Sequence, residues 1–397
     1  MIGTRRQLAS PGKHPPDACH VRIGRDTVHG ERTSVSHKQS GCTTTASSVA
    51  RTLSPAAKKW RLLRAYLSRH PIWCAWQVTY RCNYRCGFCH YWRDPMGALP
   101  EQTLEQFEDG AERLASLGSL MISLAGGEPM LRPDFPDIVR ALARWHFPFV
   151  TTHGGFVTPA LADELFAAGL WGASISIDYA EPARHNKSRG IADAHQQAIH
   201  AIDCFVRARR HAWQRVNLMC ILLHDNIDQV EDLIRIAADR GAFFMIQPYS
   251  IRKTGSKRFR YIQGDVSRRL LDLRGKHANF LSNPSFLAEF DTFLAGGVPD
   301  CRAGQAFFNI DSCGDVAICV EERHRPVANL YRHSAREILE RLRIGSAGNT
   351  CTDCWYNCRG EVESLYRPRG LLKSLPTILL DHGRPGGNGH VERSPSA

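Results

Sequence analysis

Short apolar runs alternate with longer amphipathic stretches from residue 75 to residue 250, and no other feature of the chain limits its fold as strongly. The runs have the length of strands, and the stretches between them repeat apolar residues at helical spacing. Strands that alternate with helices form a parallel sheet with right-handed crossovers. Six repeats predict an α/β fold, a partial (β/α)6 TIM-type barrel, with its chemistry at the carboxyl ends of the strands.

The predicted strands are 75–80, 120–125, 148–152, 173–178, 216–222 and 243–248. The predicted helices between them span about 104–117, 134–146, 158–169, 193–210 and 227–240. A basic helix is predicted ahead of the barrel at 55–69, with one side formed by Trp60, Leu63, Tyr66 and Leu67. This helix either packs on the barrel or lies on an anionic membrane surface, which is therefore a candidate partner.

Three cysteines, Cys82, Cys86 and Cys89, follow the first predicted strand with the spacing CxxxCxxC. Three thiolates on a 4Fe–4S cube leave one iron without a protein ligand, and a small chelating ligand can bind there. Gly87 permits a tight backbone path between two of the ligands. A zinc knuckle is the alternative for three cysteines alone, and the strand context favours the cluster.

The segment VTYRCNYRCGFCHYW resembles the cluster loop of the radical S-adenosylmethionine (SAM) superfamily, with the aromatic Phe88 before the third cysteine. The resemblance implies that the open iron binds the amino and carboxylate groups of SAM. It also implies that reduction of the sulfonium releases a 5′-deoxyadenosyl radical, which abstracts hydrogen from the substrate. An external electron donor such as flavodoxin or ferredoxin follows from the same resemblance.

A Gly126-Gly127-Glu128-Pro129 motif ends the second predicted strand, 37 residues after Cys89. Two glycines allow a ligand to approach the backbone closely, and Glu128 can accept a hydrogen bond from an ammonium group. The motif is similar to the one that binds the methionine amino group of SAM in this superfamily. Alone, it would be an ordinary strand-to-helix turn, and its position strengthens the resemblance.

Two later segments fit the superfamily less closely. His153, in the segment TTHGG, stands where related proteins often have Asn. The resemblance implies that Ser176 contacts the ribose of SAM and that Arg189 contacts its carboxylate. Ordinary loop or capping contacts are the alternative for each residue.

A second group of cysteines follows the barrel, at Cys301, Cys319, Cys351, Cys354 and Cys358. Gly314 lies five positions before Cys319 and predicts a Gly-x4-Cys hairpin. The pattern resembles the C-terminal auxiliary-cluster domains called SPASM and twitch, and it implies one further 4Fe–4S cluster. Which four of the five cysteines bind it stays open, as does a structural zinc site. Cys313 is a sixth candidate, whereas Cys204 and Cys220 are predicted to be apolar core residues.

The net charge of +12 belongs mostly to the N-terminal arm. Residues 1–70 contain 13 Lys/Arg and 3 Asp/Glu, so the remaining chain is close to neutral and a nucleic-acid partner is not expected. The chain has no run of 18 apolar residues and no secretory signal, which together with clustered cysteines predicts a cytoplasmic protein. The predicted segments are a disordered extension at 1–54, the basic helix at 55–74, the barrel at 75–250, a connecting segment at 251–300, the auxiliary-cluster domain at 301–366, and an apolar segment with a disordered tail at 367–397.

The predicted function is reductive cleavage of SAM followed by hydrogen abstraction from a substrate that the sequence does not identify. Lipids or isoprenoids, peptides and aminosugars are the substrate classes left open. A winged-helix peptide-recognition unit does not fit the polar first 70 residues, which disfavours a peptide, while the apolar terminal segments slightly favour a lipid. The alternative from another class is a zinc-binding scaffold or nucleic-acid-binding module that uses the basic N-terminus.

Overall fold

Six parallel strands form the main sheet of the computed structural model, which describes residues 52–262 and 264–366. They are β1 (Trp73–Thr79), β2 (Met121–Gly126), β3 (Phe147–Thr152), β4 (Gly172–Ser176), β5 (Arg215–Leu222) and β6 (Phe243–Pro248). Each strand pairs in parallel with the next one along the chain, which confirms the partial α/β barrel. The expectations for residues 1–51 and 367–397 lie outside the described residues.

Helices cover the outer face of this sheet. In chain order they are α1 (Pro55–Leu67), α2 (Leu104–Ala115), α3 (Phe135–Ala143), α4 (Pro159–Ala167), α5 (Pro182–Arg189), α6 (Ala194–Ala208) and α7 (Val230–Asp239). The segment after β6 contains α8 (Val266–Lys276), α9 (Pro284–Leu287) and α10 (Phe290–Ala295). The segment expected as a connection therefore contains three helices.

The chain adds three more strands to the β1 edge of the same sheet. These are β7 (Phe307–Ile310), which pairs in parallel with β1, and then β8 (Asp315–Ala317) and β9 (Ala328–Asn329), which continue antiparallel. Gly314 turns the β7–β8 hairpin with φ +86, a conformation that favours glycine. Two helices follow, α11 (Ala335–Gly345) and α12 (Asn357–Leu365). Both cysteine groups therefore lie beside β1.

The two faces of the sheet have different chemistry. On the outer face, alternate residues such as Trp76, Ile122 and Leu218 are fully buried in one large apolar cluster with the helices. On the inner face, the residues towards the carboxyl ends are uncharged, and several remain partly exposed. They are Gln77, Ser123, Thr151, Ser176, Met219 and Gln247. At the start of α12, Asn357 reaches this face, where its N–H donates to Gln247 Oε1 at 3.1 Å.

Helix α1 turns two of its cations, Lys58 and Arg61, inward and part of its apolar surface outward. Lys58 Nζ donates to the carbonyl of Ala143 at 2.9 Å, and Arg61 donates to the carbonyl of Ala115. These carbonyls end α3 and α2, where positive charge is favourable. Ala65 is buried, whereas Trp60, Leu63 and Leu67 are exposed by 65%, 46% and 68%. Among the described helices, none is long and apolar enough to cross a bilayer.

Candidate functional site

The first cysteine loop leaves the carboxyl end of β1 and packs against the end of α5. The N–H of Arg85 donates to the Arg189 carbonyl at 3.4 Å, and the N–H of Gly87 donates to the Ser188 carbonyl at 3.3 Å. Cys86 is buried, whereas Cys82 and Cys89 are half-buried, and all three are free thiols. A Cβ at Gly87 would make only ordinary contact with Phe259 at 3.4 Å, so the tight path expected there was wrong.

Burial dominates the electrostatics of these thiols. It raises the pKa of Cys82 to about 12 and that of Cys86 to about 11, and the Arg189 guanidinium opposes the second shift. The ligand-free thiols of Cys82 and Cys86 are therefore protonated at neutral pH, and a metal cluster must displace their protons. The same pKa values respond to the neighbouring thiols, which shows that the three sulfurs lie within electrostatic reach of one another.

The two glycines of the GGEP motif allow close approach, but by protein backbone rather than by a ligand. Gly126 has φ +135, and a Cβ there would lie 1.9 Å from the Thr79 carbonyl oxygen. A Cβ at Gly127 would lie 2.0 Å from the Arg81 carbonyl oxygen. The N–H groups of Gly127 and Glu128 donate to these same carbonyls at 2.9 Å each. Only glycine at both positions lets the motif lie directly against the chain that leads into Cys82.

Glu128 is 1% exposed, and its carboxylate accepts three hydrogen bonds. The donors are Thr152 Oγ1 at 2.8 Å, the His153 N–H at 3.0 Å and the Met130 N–H at 3.2 Å. Burial nevertheless raises the pKa of Glu128 to about 7. A cationic ligand beside this carboxylate would favour its charged form.

His153 connects the two motifs, a contact that the sequence did not reveal. Its Nδ1 accepts from the Gly155 N–H at 3.0 Å, which assigns the ring proton to Nε2. Nε2 lies 2.9 Å from Asn83 Oδ1 in the cysteine loop and 3.2 Å from Glu128 Oε2. The ring stacks on Tyr84 with centroids 3.6 Å apart, and burial lowers the pKa of His153 to about 3. A neutral His153 therefore holds the cysteine loop against the GGEP turn.

Arg189 is buried beside the same loop. Its Nη2 donates to Asp178 at 2.6 Å, and the guanidinium lies 5.2 Å from the ring of Phe88. Its Nε is buried and has no hydrogen-bond partner, so one donor is left for a ligand such as a carboxylate. Ser176 ends β4 half-buried on the inner face, as its predicted contact with a ligand requires. The residues present therefore fit a bound SAM molecule.

The second cysteine group comes together from three distant parts of the chain. Cys301 precedes β7, Cys319 follows β8, and the other three lie before or in the first turn of α12. Burial raises the pKa of Cys358 to about 12, and Cys319 and Cys301 raise it further. The pKa of Cys354 responds to Cys358, Cys319 and Cys301, and that of Cys301 responds to Cys351. Each of the five thiols is thus within electrostatic reach of at least one other thiol of the group.

The remaining described cysteines lie apart from this group. Cys313 donates to the Pro100 carbonyl at 3.6 Å in the β7–β8 turn. Cys204 and Cys220 lie in the main apolar cluster, which confirms them as core residues.

Arg359 binds backbone carbonyls beside the second cysteine group. It is 0% exposed and donates to the carbonyls of Cys354, Val298 and Pro299 at 2.8, 2.6 and 2.9 Å. It also pairs with Glu363 at 3.2 Å. These contacts give Arg359 a structural role.

Within residues 52–262 and 264–366, no three Cys, His, Asp or Glu side chains converge as ligands of one metal ion. A cubane cluster differs from a single ion, because each thiolate binds a different iron. Both cysteine groups fit that looser requirement: their thiols are free, buried or half-buried, and within electrostatic reach of others in the same group.

Comparison with known proteins gives a family match and several relatives. Residues 76–237 match the model described as the radical SAM superfamily. GTP 3′,8-cyclase of Pseudomonas putida is 37% identical over 170 residues, covering 41% of this chain and 49% of the relative. The chain thus spans about half the length of that relative. Mycofactocin maturase MftC of Mycolicibacterium smegmatis is 26% identical over 313 residues, covering 73% of this chain and 77% of the relative.

Solved structures with the same fold include one complex with a peptide and one complex with SAM. Streptococcus suis SuiB bound to its precursor peptide SuiA gives a TM-score of 0.58 at 15% identity, covering 78% of this chain and 76% of that one. The protein anSMEcpe with bound AdoMet gives 0.54 at 16% identity, covering 79% and 89%. At these identities, the likeness concerns the fold.

Proposed function

The chain belongs to the radical SAM superfamily, with a 4Fe–4S cluster and SAM as cofactors, and we propose that Cys82, Cys86 and Cys89 hold that cluster for reductive cleavage of SAM. When bound, these cofactors supply an organic radical that removes a hydrogen atom from the substrate. In the proposed site, Glu128 accepts a hydrogen bond from the SAM ammonium and Arg189 Nε donates to its carboxylate. Phe88 and Tyr84 keep water from the loop.

The single observation that carries this proposal is the contact of His153 with both motifs, at 2.9 Å to Asn83 and 3.2 Å to Glu128. It fixes the carboxylate beside the cysteine loop. Anaerobic reconstitution followed by incubation with SAM and a strong reductant tests the proposal. Formation of 5′-deoxyadenosine is expected. A colourless protein with stoichiometric zinc and no SAM cleavage would reject it and favour a zinc scaffold.

We further propose that the second cysteine group holds one auxiliary 4Fe–4S cluster, which assists electron transfer or substrate binding. Its support is the neighbourhood of five free thiols around the buried Arg359. Two cubes predict about eight irons per chain after reconstitution. A Cys319→Ala variant should retain SAM cleavage but lose the auxiliary cluster and productive turnover. An unchanged iron content in that variant would contradict the assignment of Cys319.

Among the substrate classes, we propose a peptide. Its first support is the relative that covers most of both chains, mycofactocin maturase. Its second is the uncharged inner face near the carboxyl ends of the strands, with Ser123, Thr151, Ser176 and Gln247. Such a surface suits a neutral hydrogen-bonding group better than a nucleoside triphosphate, which requires compensating cations. Deuterium transfer into 5′-deoxyadenosine from a deuterated precursor peptide would support this class, whereas transfer from GTP would overturn it.

A location on the cytoplasmic face of a membrane is proposed from α1. Trp60, Leu63 and Leu67 are exposed beside the exposed cations Lys59 and Arg64. Apolar residues flanked by cations suit an anionic lipid surface. Flotation with anionic liposomes should recover the full chain and lose it after Trp60→Ser and Leu67→Ser. Equal flotation of both proteins would contradict the role of α1.

A further inference from the structure

One lysine, Lys253, lies between the first cysteine loop and the loop of the second cysteine group that contains Cys351, Cys354 and Cys358. The Lys253 ammonium is 4.7 Å from the ring centroid of Tyr91 and 5.0 Å from that of Tyr356. Tyr91 follows Cys89 by two residues, and Tyr356 precedes Cys358 by two residues. A cation over the face of an aromatic ring is attracted by the ring, more strongly where water is excluded. The same cation therefore contacts both loops.

A carboxylate fixes the lysine in this place. Lys253 Nζ lies 3.1 Å from Glu321 Oε1, and the Tyr356 hydroxyl donates to the same oxygen at 2.9 Å. Glu321 follows Cys319 by two residues. Each of the three partners of Lys253 is thus two positions from a proposed cluster ligand. The side chains of Lys253 and Glu321 are only 23% and 7% exposed, so solvent screens their charges weakly.

Of the three described cations Lys253, Arg252 and Arg323, only Lys253 lies over rings of both loops. Arg323 pairs with Asp94 at 2.6 Å and lies 5.2 Å from the Tyr91 ring, and Arg252 pairs with Glu322 at 2.7 Å and Asp353 at 3.3 Å. Burial alone would lower the pKa of Lys253, but Glu321, Tyr91 and Cys89 outweigh it and hold the pKa above its ordinary value. The ammonium is therefore charged at any physiological pH. Cys89 contributes to the raised pKa of Lys253. Lys253 in turn lowers the pKa of Cys358, against the effect of burial.

We propose that Lys253 couples both clusters electrostatically to one fixed positive charge, which Tyr91, Glu321 and Tyr356 hold between the two cysteine groups, and that this charge raises both reduction potentials. The inference rests on the proposed function, since it needs both clusters. Reduction adds one electron to a cluster and makes it more negative. A cation nearby stabilises that reduced state and raises the reduction potential. Lys253 itself gains and loses no electron or proton.

The test compares reduction potentials in the reconstituted full chain, measured by redox titration with electron paramagnetic resonance. Lys253→Met keeps the length of the side chain and removes its charge. Both clusters should become harder to reduce, with about a tenfold loss in the equilibrium constant, or about 59 mV for one electron. Lys253→Arg should restore the wild-type potentials. Lys257→Met removes an exposed cation from the same loop and should leave both potentials unchanged.

Iron content separates the outcomes. If Lys253→Met retains about eight irons and unchanged potentials, the coupling is refuted while the proposed function stands. If the variant loses the auxiliary cluster, the first cluster must still shift, and an unshifted first cluster would also refute the coupling. A wild-type chain that takes up only about four irons would remove the auxiliary cluster itself, and the coupling with it. That last result appears without any substitution and is therefore distinguishable from the others.

Discussion

The two cysteine loops flank the same strand, β1, yet they are built in opposite ways. The first lies within eight residues of sequence, and one helix end holds it through backbone hydrogen bonds. The second joins residues 301, 319 and 351–358, which come from three segments. Each has one buried arginine: Arg189 pairs with a carboxylate and keeps one nitrogen, Nε, without a partner, whereas Arg359 binds three carbonyls and also pairs with Glu363. All three nitrogens of Arg359 thus bond within the protein, while Arg189 retains one unpartnered donor.

The largest expected difference between the loops concerns SAM cleavage. Cys86→Ala should abolish formation of 5′-deoxyadenosine, because the first cluster loses a ligand and only about four irons remain. Iron analysis and product chromatography measure both effects. Cys204→Ala, in the apolar core on α6, serves as the control and should retain wild-type iron and activity. Full SAM cleavage by Cys86→Ala would contradict the assignment of the first loop.

The two arginines should separate ligand binding from stability. Arg359→Met leaves three carbonyls and Glu363 without their partner, so we expect a loss of about 3–5 kcal/mol of unfolding free energy. Arg189→Met leaves the buried Asp178 without its ion-pair partner and should lower the unfolding free energy by a similar amount. Denaturant unfolding measures both losses. At temperatures where both variants are folded, Arg359→Met should still cleave SAM, while Arg189→Met should bind it poorly. Equal SAM affinity in the two variants would contradict the assignment of SAM binding to Arg189.

A pH experiment compares one buried carboxyl from each region. Burial raises the pKa of Glu128 and of Glu361 to about 7. The folded chain therefore holds protons that the unfolded chain releases above pH 4.5. Each group's stabilising contribution is present below pH 4.5 and is lost as pH rises towards 7, by about 1.4 kcal/mol per unit at most.

Gln substitutions separate these two carboxyl groups. Glu128→Gln and Glu361→Gln should each flatten the fall in stability between pH 4.5 and 7, measured by denaturant unfolding of the cofactor-free protein. Only Glu128→Gln should weaken SAM binding, by about tenfold, the equivalent of one hydrogen bond. If Glu361→Gln weakened SAM binding equally, the division between the two regions would be wrong.

The smallest expected effect lies where α1 meets the second region. The Tyr66 hydroxyl donates to the Leu365 carbonyl at 2.7 Å, and its ring lies 4.9 Å from that of Tyr366. Tyr66→Phe keeps the ring contact and should lower the unfolding free energy by about 1 kcal/mol, with both clusters intact. Tyr66→Ala should cost more, because the ring contact is lost as well. A loss of auxiliary iron in Tyr66→Phe would show that α1 controls the second loop.

Local patterns were sufficient for the barrel strands and for the first loop. Period and length predicted β1 to β6 within two residues at each end, because each run is apolar and bounded by polar turns. The sequence did not predict helix α5, because its residues PARHNKSR include almost no apolar side chain. That helix nevertheless supplies Arg189 and the carbonyls that hold the first loop.

The sequence by itself determined the parallel sheet, the three-cysteine loop and the superfamily, because each depends on residues that are close along the chain. Only the tertiary structure decided which groups meet across it. It placed His153 between Asn83 and Glu128, laid the GGEP turn on the backbone of Thr79 and Arg81, and put Lys253 between Tyr91 and Tyr356. Lys253 lies more than 100 positions along the chain from both tyrosines, and sequence spacing carries no record of such contacts.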